Sequence, residues 1–516
     1  MVKFKFSFKY LALTAIALLC TMSLFSQQKY RIQIISSEAM LSDESNPDAI
    51  KIIGNPIFEH DGAYLYCDSA LMYEKTNSID CFGKVHIKSG DTLHMYGRFL
   101  KYNGNTRIAN IKDSVKVRDP NSTLYSNEIV YNRNTNIVSY FNGGRIVNKD
   151  NTLKSKKADY HTDTKLAYFS DDVIMFNSDY TVNTDTLKYN TETRIAYFLG
   201  PTQMVGEDVF IYCEDGEYDR EKNNSRFSKR AKLIDGTRIL TGDSLCYYEN
   251  QNYGKAKGNI FLTDTLENII VRGNFAEYFK SLQFAYITKK PHAEIWENSD
   301  TLFLRADTLR VTFDTVSNDT KDIFAYYNTK FYRSDIQGAC DSMVYATADS
   351  VICLMQKPVL WSDENQITAD TIYVFLKNEQ IDNIKMCNSA FIISQDTLYG
   401  FNQLKGKNMI AYFKDEQLNH IDITGNAESM YYVKENDNTL IGINIMKSNT
   451  MTVVVSDSKV SQIHNYQTPD AKLYPEDKLT EENKYFKNFL WRSSDRPLNK
   501  EHLLETHQDN KNSNQE

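Results

Sequence analysis

The sequence predicts an all-β protein built as a stack of similar two-strand units. Seven tyrosines recur at a 29-residue interval, which is typical of one supersecondary unit repeated along a chain. Apolar and polar residues alternate around each tyrosine, and polar turns such as 132–135 follow. No apolar stripe of helical period precedes the C-terminal tail. The tyrosine ladder consists of Tyr73, Tyr102, Tyr131, Tyr160, Tyr189, Tyr218 and Tyr247.

Each unit contains two strands whose inward residues can be assigned from the alternation. The aliphatic residue two places before a ladder tyrosine shares its face, as Ile129 does with Tyr131, because side chains of a strand alternate sides. The second strand follows the turn, continues past a Gly or Asp where we expect a bend, and carries a small inward residue facing the tyrosine. These small residues are Ala109, Val138, Ala167 and Ala196.

The interval loosens after Tyr247, where insertions lengthen the units. Counting one unit for each tyrosine slot gives about twelve units, and the stretch 442–458 resembles a thirteenth unit that caps the stack. Two strands per unit then give about 24 bent strands. The later slots are assigned to Tyr278, Val311, Tyr345, Val374 and Tyr412.

Three segments follow from composition. Residues 1–26 read as a secretory signal, with Lys3, Lys5 and Lys9 before a short apolar run, although an N-terminal membrane anchor is the alternative. Residues 27–465 form the predicted repeat domain. Residues 466–516 form a polar, partly disordered tail, whose aromatic patch at 485–491 either docks a partner or covers the end of the stack; covering is the favoured interpretation.

The charge balance restricts the partners. The formal net charge is -8, and removal of the three signal lysines, with no acid lost, makes it -11. Nucleic acid is therefore not expected as a partner, because phosphate binding relies on an excess of Lys and Arg. An anionic lipid would have to be held mainly by its apolar part.

Seven cysteines follow the signal, and an odd number leaves at least one unpaired. Cys67 with Cys81, and Cys340 with Cys353, have nearly equal spacings and could each cross-link a hairpin in an oxidising compartment. Small buried hydrophobic residues are at least an equal interpretation.

Gly242-Asp243-Ser244-Leu245 matches the nucleophile motif of one class of esterases, but the same slot reads Asp185-Thr186-Leu187 elsewhere in the repeat. Asp171 and Asp172 are expected at a turn, where bonds to their own backbone would explain them. The histidines are scattered without metal spacing. The sequence therefore predicts no enzyme, no catalytic residue, no metal and no cofactor.

Inward aromatic and aliphatic residues are what any β stack needs, so core packing is the default meaning of the ladder. A resemblance adds a second meaning. The ordered Asp-Ser/Thr-Leu-x-Tyr strings, such as 185–189 and 243–247, each followed by a partner strand such as Ile195-Ala196-Tyr197-Phe198, resemble the OstA/LptA superfamily of lipopolysaccharide export. The resemblance runs from about Gln33 to Tyr432.

The resemblance implies an elongated β-jellyroll of bent antiparallel strands whose apolar groove carries lipid A acyl chains while the sugars stay in solvent. It implies a periplasmic bridge associated with the outer membrane, which joins end to end with the inner-membrane and outer-membrane jellyroll components of the transport system. Exposed edge strands also make end-to-end self-association an expectation. By repeat position, the groove residues would be Leu71, Tyr73, Leu100, Tyr102, Ile129, Tyr131, Tyr160, Leu187, Tyr189, Tyr218, Leu245 and Tyr247.

The competing interpretation is a structural or adhesive secreted β-solenoid with a closed core. The two differ in one structural property, which is whether the inward faces enclose an open apolar groove or pack against each other.

Overall fold

The protein is described by a computed structural model covering residues 31–505, apart from gaps at 43–45, 150, 177, 179, 267, 298–299, 315–319, 379, 397, 416, 436, 438, 457–458, 476–477, 479 and 481–483. The described residues form an all-β, antiparallel fold of 38 strand segments, with a short helix α1 (Lys500–Glu505). None of these described residues belongs to a helix that is long and apolar enough to cross a membrane. The predicted signal at 1–26 lies outside this range.

The chain divides into two compact units. Unit 1 runs up to Glu207 and includes Glu217–Glu221, and unit 2 comprises Asp208–Gly216 and the chain from Lys222 onward. The division falls at β18 (Val209–Asp219).

Unit 1 contains β1 (Gln33–Ser36), β2 (Ala39–Ser42), β3 (Ile50–Ile53), β4 (Ile57–His60), β5 (Ala63–Tyr66), β6 (Ser69–Tyr73), β7 (Ser78–Ser89), β8 (Leu93–Asn103), β9 (Ile108–Arg118), β10 (Ser122–Asn132), β11 (Ile137–Tyr140), β12 (Gly144–Asn148), β13 (Thr152–Ser155), β14 (Lys157–His161), β15 (Leu166–Phe176), β16 (Thr181–Asn190) and β17 (Ile195–Val205).

Unit 2 contains β19 (Asn224–Asp235), β20 (Arg238–Tyr248), β21 (Tyr253–Asp264), β22 (Ile269–Phe279), β23 (Phe284–Thr288), β24 (His292–Glu297), β25 (Asp300–Arg305), β26 (Thr308–Phe313), β27 (Thr320–Tyr332), β28 (Gln337–Ala346), β29 (Val351–Met355), β30 (Val359–Ser362), β31 (Asn365–Thr368), β32 (Thr371–Lys377), β33 (Gln380–Asp396), β34 (Gly400–Lys414), β35 (Gln417–Lys434), β36 (Leu440–Ser456), β37 (Lys459–Tyr466) and β38 (Asp470–Tyr474).

The predicted bend in each strand is confirmed, and it explains why the segments outnumber the roughly 24 strands expected. β5 and β6 both pair with β7, and β11 and β12 both pair with β10, so one bent strand is divided in two beside an undivided neighbour. Undivided strands carry a β-bulge at the same level, as between Phe82 and Val85. The bend divides each long strand into two halves. We call the half that carries the ladder residue the tyrosine half, which is 99–103 in β8, and we call the half on the other side of the bend the partner half, which is 93–97 in β8.

The bends are made by residues in the left-handed region. Gly258 has φ +69°, and Asp171 and Asp172 have φ +63° and +55°. The expectation of a turn at the two aspartates is therefore wrong, since they lie at the bend inside β15. Their carboxylates lie 2.7 Å from Lys157 Nζ and 2.5 Å from Lys156 Nζ, and such exposed pairs contribute little stability.

The bend also accounts for the acid of the repeat. A Cβ added at Gly258 would lie 2.1 Å from Asp243 Oδ2, and one added at Gly83 would lie 2.3 Å from Asp68 Oδ2. The aspartate of one strand therefore occupies the space left by the glycine of the next. Asn259 Nδ2 donates to both carboxylate oxygens of Asp243 at 3.1 Å.

We expect Gly258→Ala to lower the free energy of unfolding by about 2 kcal/mol or more, because the new methyl group meets Asp243 in a backbone conformation that alanine avoids. Gly236→Ala is the matched control in the same unit, with φ +55° but open space around the added Cβ. Urea unfolding should show the larger loss for Gly258→Ala. Equal losses would mean that the contact with Asp243 is unimportant.

Candidate functional site

The tyrosine ladder of unit 1 forms one row across the sheet. Strand register places Ala109, Val138 and Ala167 each between two tyrosines and Ala196 beside Tyr189, so the predicted pairing of large and small inward residues is confirmed. The row runs Tyr102, Ala109, Tyr131, Val138, Tyr160, Ala167, Tyr189, Ala196. We call the face that carries this row the inner face, and the opposite face the outer face.

The first ladder position does not belong to this row. Met72 and Ile79 align with Tyr102, whereas Tyr73 aligns with Ser78 and Asn103. Tyr73 and Leu71 therefore point to the outer face, and their assignment to the groove is wrong. Tyr73 and Asn103 are the last paired residues before the turns of successive hairpins, and they are 30 positions apart instead of 29. A spacing of 29 therefore misses the structurally equivalent residue by one, and a shift of one residue along a strand moves the side chain to the other face.

The same correction applies to Tyr412. Its neighbour Ala411 aligns with Ile384 and Ile421 and is 2% exposed, while Tyr412 stacks on His420 with ring centroids 4.5 Å apart. The inward slot of this unit is therefore filled by Ala411.

The interior of unit 1 is packed. The predicted groove residues of this unit that face inward from described strands are no more than 2% exposed: Leu100, Tyr102, Ile129, Tyr131, Tyr160, Leu187 and Tyr189. The facing row of the partner halves is equally buried, at Met95, Val117, Leu124, Ile146 and Leu153. Tyr218, in β18, is half-buried.

Three tyrosine hydroxyls close this interior at its edge. Tyr102 Oη lies 2.7 Å from His60 Nδ1, Tyr189 Oη accepts from Asn148 Nδ2 at 2.9 Å, and Tyr160 Oη donates to Asp119 Oδ2. The contacted residues end partner-half strands or lie in their turns, so each tyrosine ties its own half to the other. We call these contacts the tyrosine clasps. Burial raises the pKa of Tyr102 and of Tyr160, which keeps both phenols protonated.

The interior of unit 2 is open along β20–β26. Leu245, near the bend, is 6% exposed, but Tyr247 and Tyr278, further out on the same face, are only half-buried. On the partner halves Leu240 and Val271 are half-buried, and Leu262 between them is 36% exposed. These inner-face residues, partly accessible above the buried Leu245, form a candidate apolar groove, which we call the unit 2 groove.

The partner-half wall was missed by the sequence predictions. Met95, Leu124, Leu153, Val182, Ile211 and Leu240 follow the same 29-residue interval as the tyrosines without a break. This second apolar series was the signal that could have identified the wall.

The cysteines are free thiols in this structure. Cys67 and Cys81 are 4% and 0% exposed, and burial raises the pKa of Cys340 to about 12. Burial alone fits small hydrophobic residues, but the thiols of Cys67 and Cys81 are in hydrogen-bond contact, which lowers the pKa of Cys67, so cross-linking of this pair stays a prediction.

Ser244 of the esterase-like tetrapeptide contacts Cys246 Sγ at 3.8 Å, a weak interaction between neighbours on the outer side of β20. Asp243 is used at the bend. Within the part of the chain that the structure describes, no three His, Cys, Asp or Glu side chains cluster as a metal site would require.

The C-terminal tail packs on the outer face of unit 2 instead of covering the end of a stack. Phe486 is 9% exposed and joins a cluster with Tyr432 and Ile443. The side-chain amides of Gln403 and Gln366 are wholly buried, and each both donates to and accepts from the tail backbone. Gln403 donates to Lys484 O and accepts from Phe486 N, both at 2.9 Å. Gln366 donates to Leu490 O at 2.7 Å and accepts from Arg492 N at 2.6 Å. The expected disorder concerns residues that lie mostly beyond 505, outside the described chain.

Fold and site together define a class: repeated bent antiparallel strands around an apolar interior. A family model for OstA-like protein matches residues 29–185 and 172–237, and one for the LptA/(LptD N-terminal domain) LPS transport protein matches residues 297–380. The chain belongs to the OstA/LptA superfamily.

No curated protein matches the sequence. Among solved structures, the chain is similar to LptH from Pseudomonas aeruginosa, described as the LptA-homologous periplasmic component of the lipopolysaccharide transport device. The identity is 12%, the match covers 27% of this chain and 76% of LptH, and the TM-score is 0.14.

Proposed function

We propose that the protein is a periplasmic component of lipopolysaccharide transport that holds lipid A acyl chains in the unit 2 groove. The observation that carries this proposal is the accessible apolar wall formed by Tyr247, Tyr278 and Leu262 inside a fold of this family. Among the described residues the groove is mainly apolar, with the phenols of Tyr247 and Tyr278 and the Arg238–Asp264 ion pair (2.9 Å) as its polar groups, and this character favours carriage of an apolar chain.

The energetics suit carriage. Each buried methylene contributes about 0.8 kcal/mol, so a few acyl chains bind firmly without charge pairing. Tyr247, Tyr278 and Val311 occupy equivalent slots of successive units, connected through Gly254 and Ala285. Nearly equivalent slots keep the binding energy level along the groove, and a level energy permits sliding.

Unit 1 takes a different part in this proposal. Its ladder residues are packed, so acyl chains reach Tyr131 or Tyr189 only if the tyrosine clasps open. The closed interior of unit 1 is also the observation that favours the second candidate, a structural or adhesive β-solenoid with a closed core.

The partners in the proposal are the inner-membrane and outer-membrane jellyroll components, with end-to-end self-association as a further mode. Strand edges support it: β2 exposes Met40 and Leu41 (54% and 47%), and β38 exposes Leu473 (56%). An edge strand with unpaired backbone groups is a template for strand addition.

Photo-crosslinking in cells tests the proposal. A crosslinker at position 262 or 278 is expected to yield lipopolysaccharide adducts, and one at Tyr168, which is 38% exposed on the outer face, is the control without adducts. Adducts at 131 and 189 as well would show that the clasps open during transport. Absence of adducts at 262 and 278, with the protein folded and abundant, would favour the closed-core candidate.

A further inference from the structure

The outer face of the partner halves in unit 1 carries a band of basic side chains. Two neighbouring rows run across β5, β7, β8, β9, β10, β12 and β13 in register. One row reads Tyr64, Lys88, His94, Arg118, Thr123, Val147, Thr152, and the other reads Tyr66, His86, Tyr96, Lys116, Tyr125, Arg145, Lys154. We call these two rows the basic face.

The basic face contrasts with the rest of the molecule. Neither row contains an Asp or Glu, although the chain as a whole has a net charge of -8. Arg145 and Lys154 are exposed, and neither forms an ion pair with an acid among the described residues. On the outer face of the tyrosine halves, by comparison, Lys112 pairs with Glu128 at 2.9 Å. Within the basic face, Lys88 lies 3.8 Å from Asp91 of the adjoining turn, so the positive charge without an acidic partner among the described residues is centred on Arg145 and Lys154.

An aromatic ring lies between the charges. The Arg145 guanidinium lies 4.8 Å and Lys116 Nζ 5.9 Å from the centroid of the Tyr125 ring. A shallow cavity of about 550 Å³ opens beside it, lined by Tyr125, Arg145 and Lys154 and by the small residues Ser126 and Gly143, and Lys116 lies outside this lining. Cations at neighbouring strand positions around an accessible ring create a concave site of mixed aromatic and cationic character.

We propose that this site binds a phosphorylated saccharide, with Arg145, Lys116 and Lys154 on the phosphate groups and Tyr125 packed against a sugar ring. Guanidinium and ammonium groups form the strong, charge-assisted bonds that phosphate oxygens accept. The C–H face of a pyranose packs on an aromatic ring, and a concave site suits a sugar better than a flat bilayer surface. The inference rests on the proposed function, in which the sugars of the carried glycolipid remain in solvent.

Titration calorimetry on the purified full chain tests this inference with a bisphosphorylated glucosamine disaccharide that lacks acyl chains. The Lys116→Gln/Arg145→Gln/Lys154→Gln triple variant is expected to bind at least about tenfold more weakly, since three charge-assisted contacts are lost. Tyr125→Thr, which keeps strand propensity, is expected to weaken disaccharide binding severalfold while leaving the weak binding of inorganic phosphate unchanged.

The matched control is Lys101→Gln/Lys112→Gln/Lys188→Gln, which removes the same charge from the outer face of the tyrosine halves and should bind like the natural protein. Unchanged affinity in the basic-face triple variant would overturn the inference. So would equal affinity for inorganic phosphate, or vesicle binding with phosphatidylglycerol that depends on the cations but not on Tyr125. The probe has no acyl chain, so its binding is independent of crosslinking in the unit 2 groove.

Discussion

Deletion of residues 476–516 is expected to lower the free energy of unfolding of unit 2 by at least about 4 kcal/mol. The deletion removes Phe486 from the cluster with Tyr432 and Ile443, and loss of one buried Phe alone costs about 3 kcal/mol or more. It also removes the hydrogen bonds between the tail and the side chains of Gln366 and Gln403, at about 0.5–1.5 kcal/mol each once water replaces the tail. Urea unfolding should show the shift, and a dye that binds exposed apolar surface should fluoresce.

Deletion of residues 506–516 alone is the control, because the tail contacts named above all involve residues before 506. This shorter deletion should unfold like the full chain. Equal stability of both deletions would contradict the role of the tail as a cover for the outer face of unit 2.

Leu262→Asp is expected to reduce lipopolysaccharide adducts at position 278 at least tenfold while leaving the protein folded. Leu262 is 36% exposed, so a carboxylate at this position stays hydrated until an acyl chain binds. Binding of an acyl chain would then remove water from an unpaired charge, which costs free energy. A cost of only about 1.4 kcal/mol is enough to weaken acyl-chain binding tenfold.

Leu199→Asp provides the matched control, since Leu199 is 45% exposed on the outer face of unit 1 and alternates with the buried Phe198. Its adduct yield should equal that of the natural sequence. If both substitutions reduce the yield alike, surface charge rather than groove chemistry is responsible.

Much of the fold could be predicted from the ladder because strand geometry is local. The alternation of apolar and polar residues assigns each side chain to a face of the sheet, and the 29-residue interval shows which residues of successive strands are neighbours. These two patterns predict that Ala109 lies beside Tyr131, as the strand register confirms. The errors at Tyr73 and Tyr412 share one cause. In each case the tyrosine lies one residue after the inward position, which is Met72 in the first unit and Ala411 in the later one, and a shift of one residue moves the side chain to the other face.

The candidate site was less predictable. Most of the residues assigned to the groove lie in unit 1, where the structure shows a packed interior, and the accessible walls at Tyr278 and Leu262 lie in unit 2. Leu187 and Leu245 occupy equivalent repeat slots, yet the interiors around them differ. Whether a slot is packed or open depends on the separation of the two strand halves, and no residue encodes that separation by itself.

The sequence alone determined the strand repeat, its bends, most of its inward residues and the structural origin of the esterase-like tetrapeptide. Each of these depends on contacts between neighbouring strands or on local backbone conformation. Only the tertiary structure decided which interior is open, where the tyrosine hydroxyls bind and where the tail packs. Those features join residues that are far apart in the chain, such as Tyr160 with Asp119 and Arg492 with Gln366. These contacts depend on how whole sheets pack together, and the alternation of apolar and polar residues along a strand does not specify that packing.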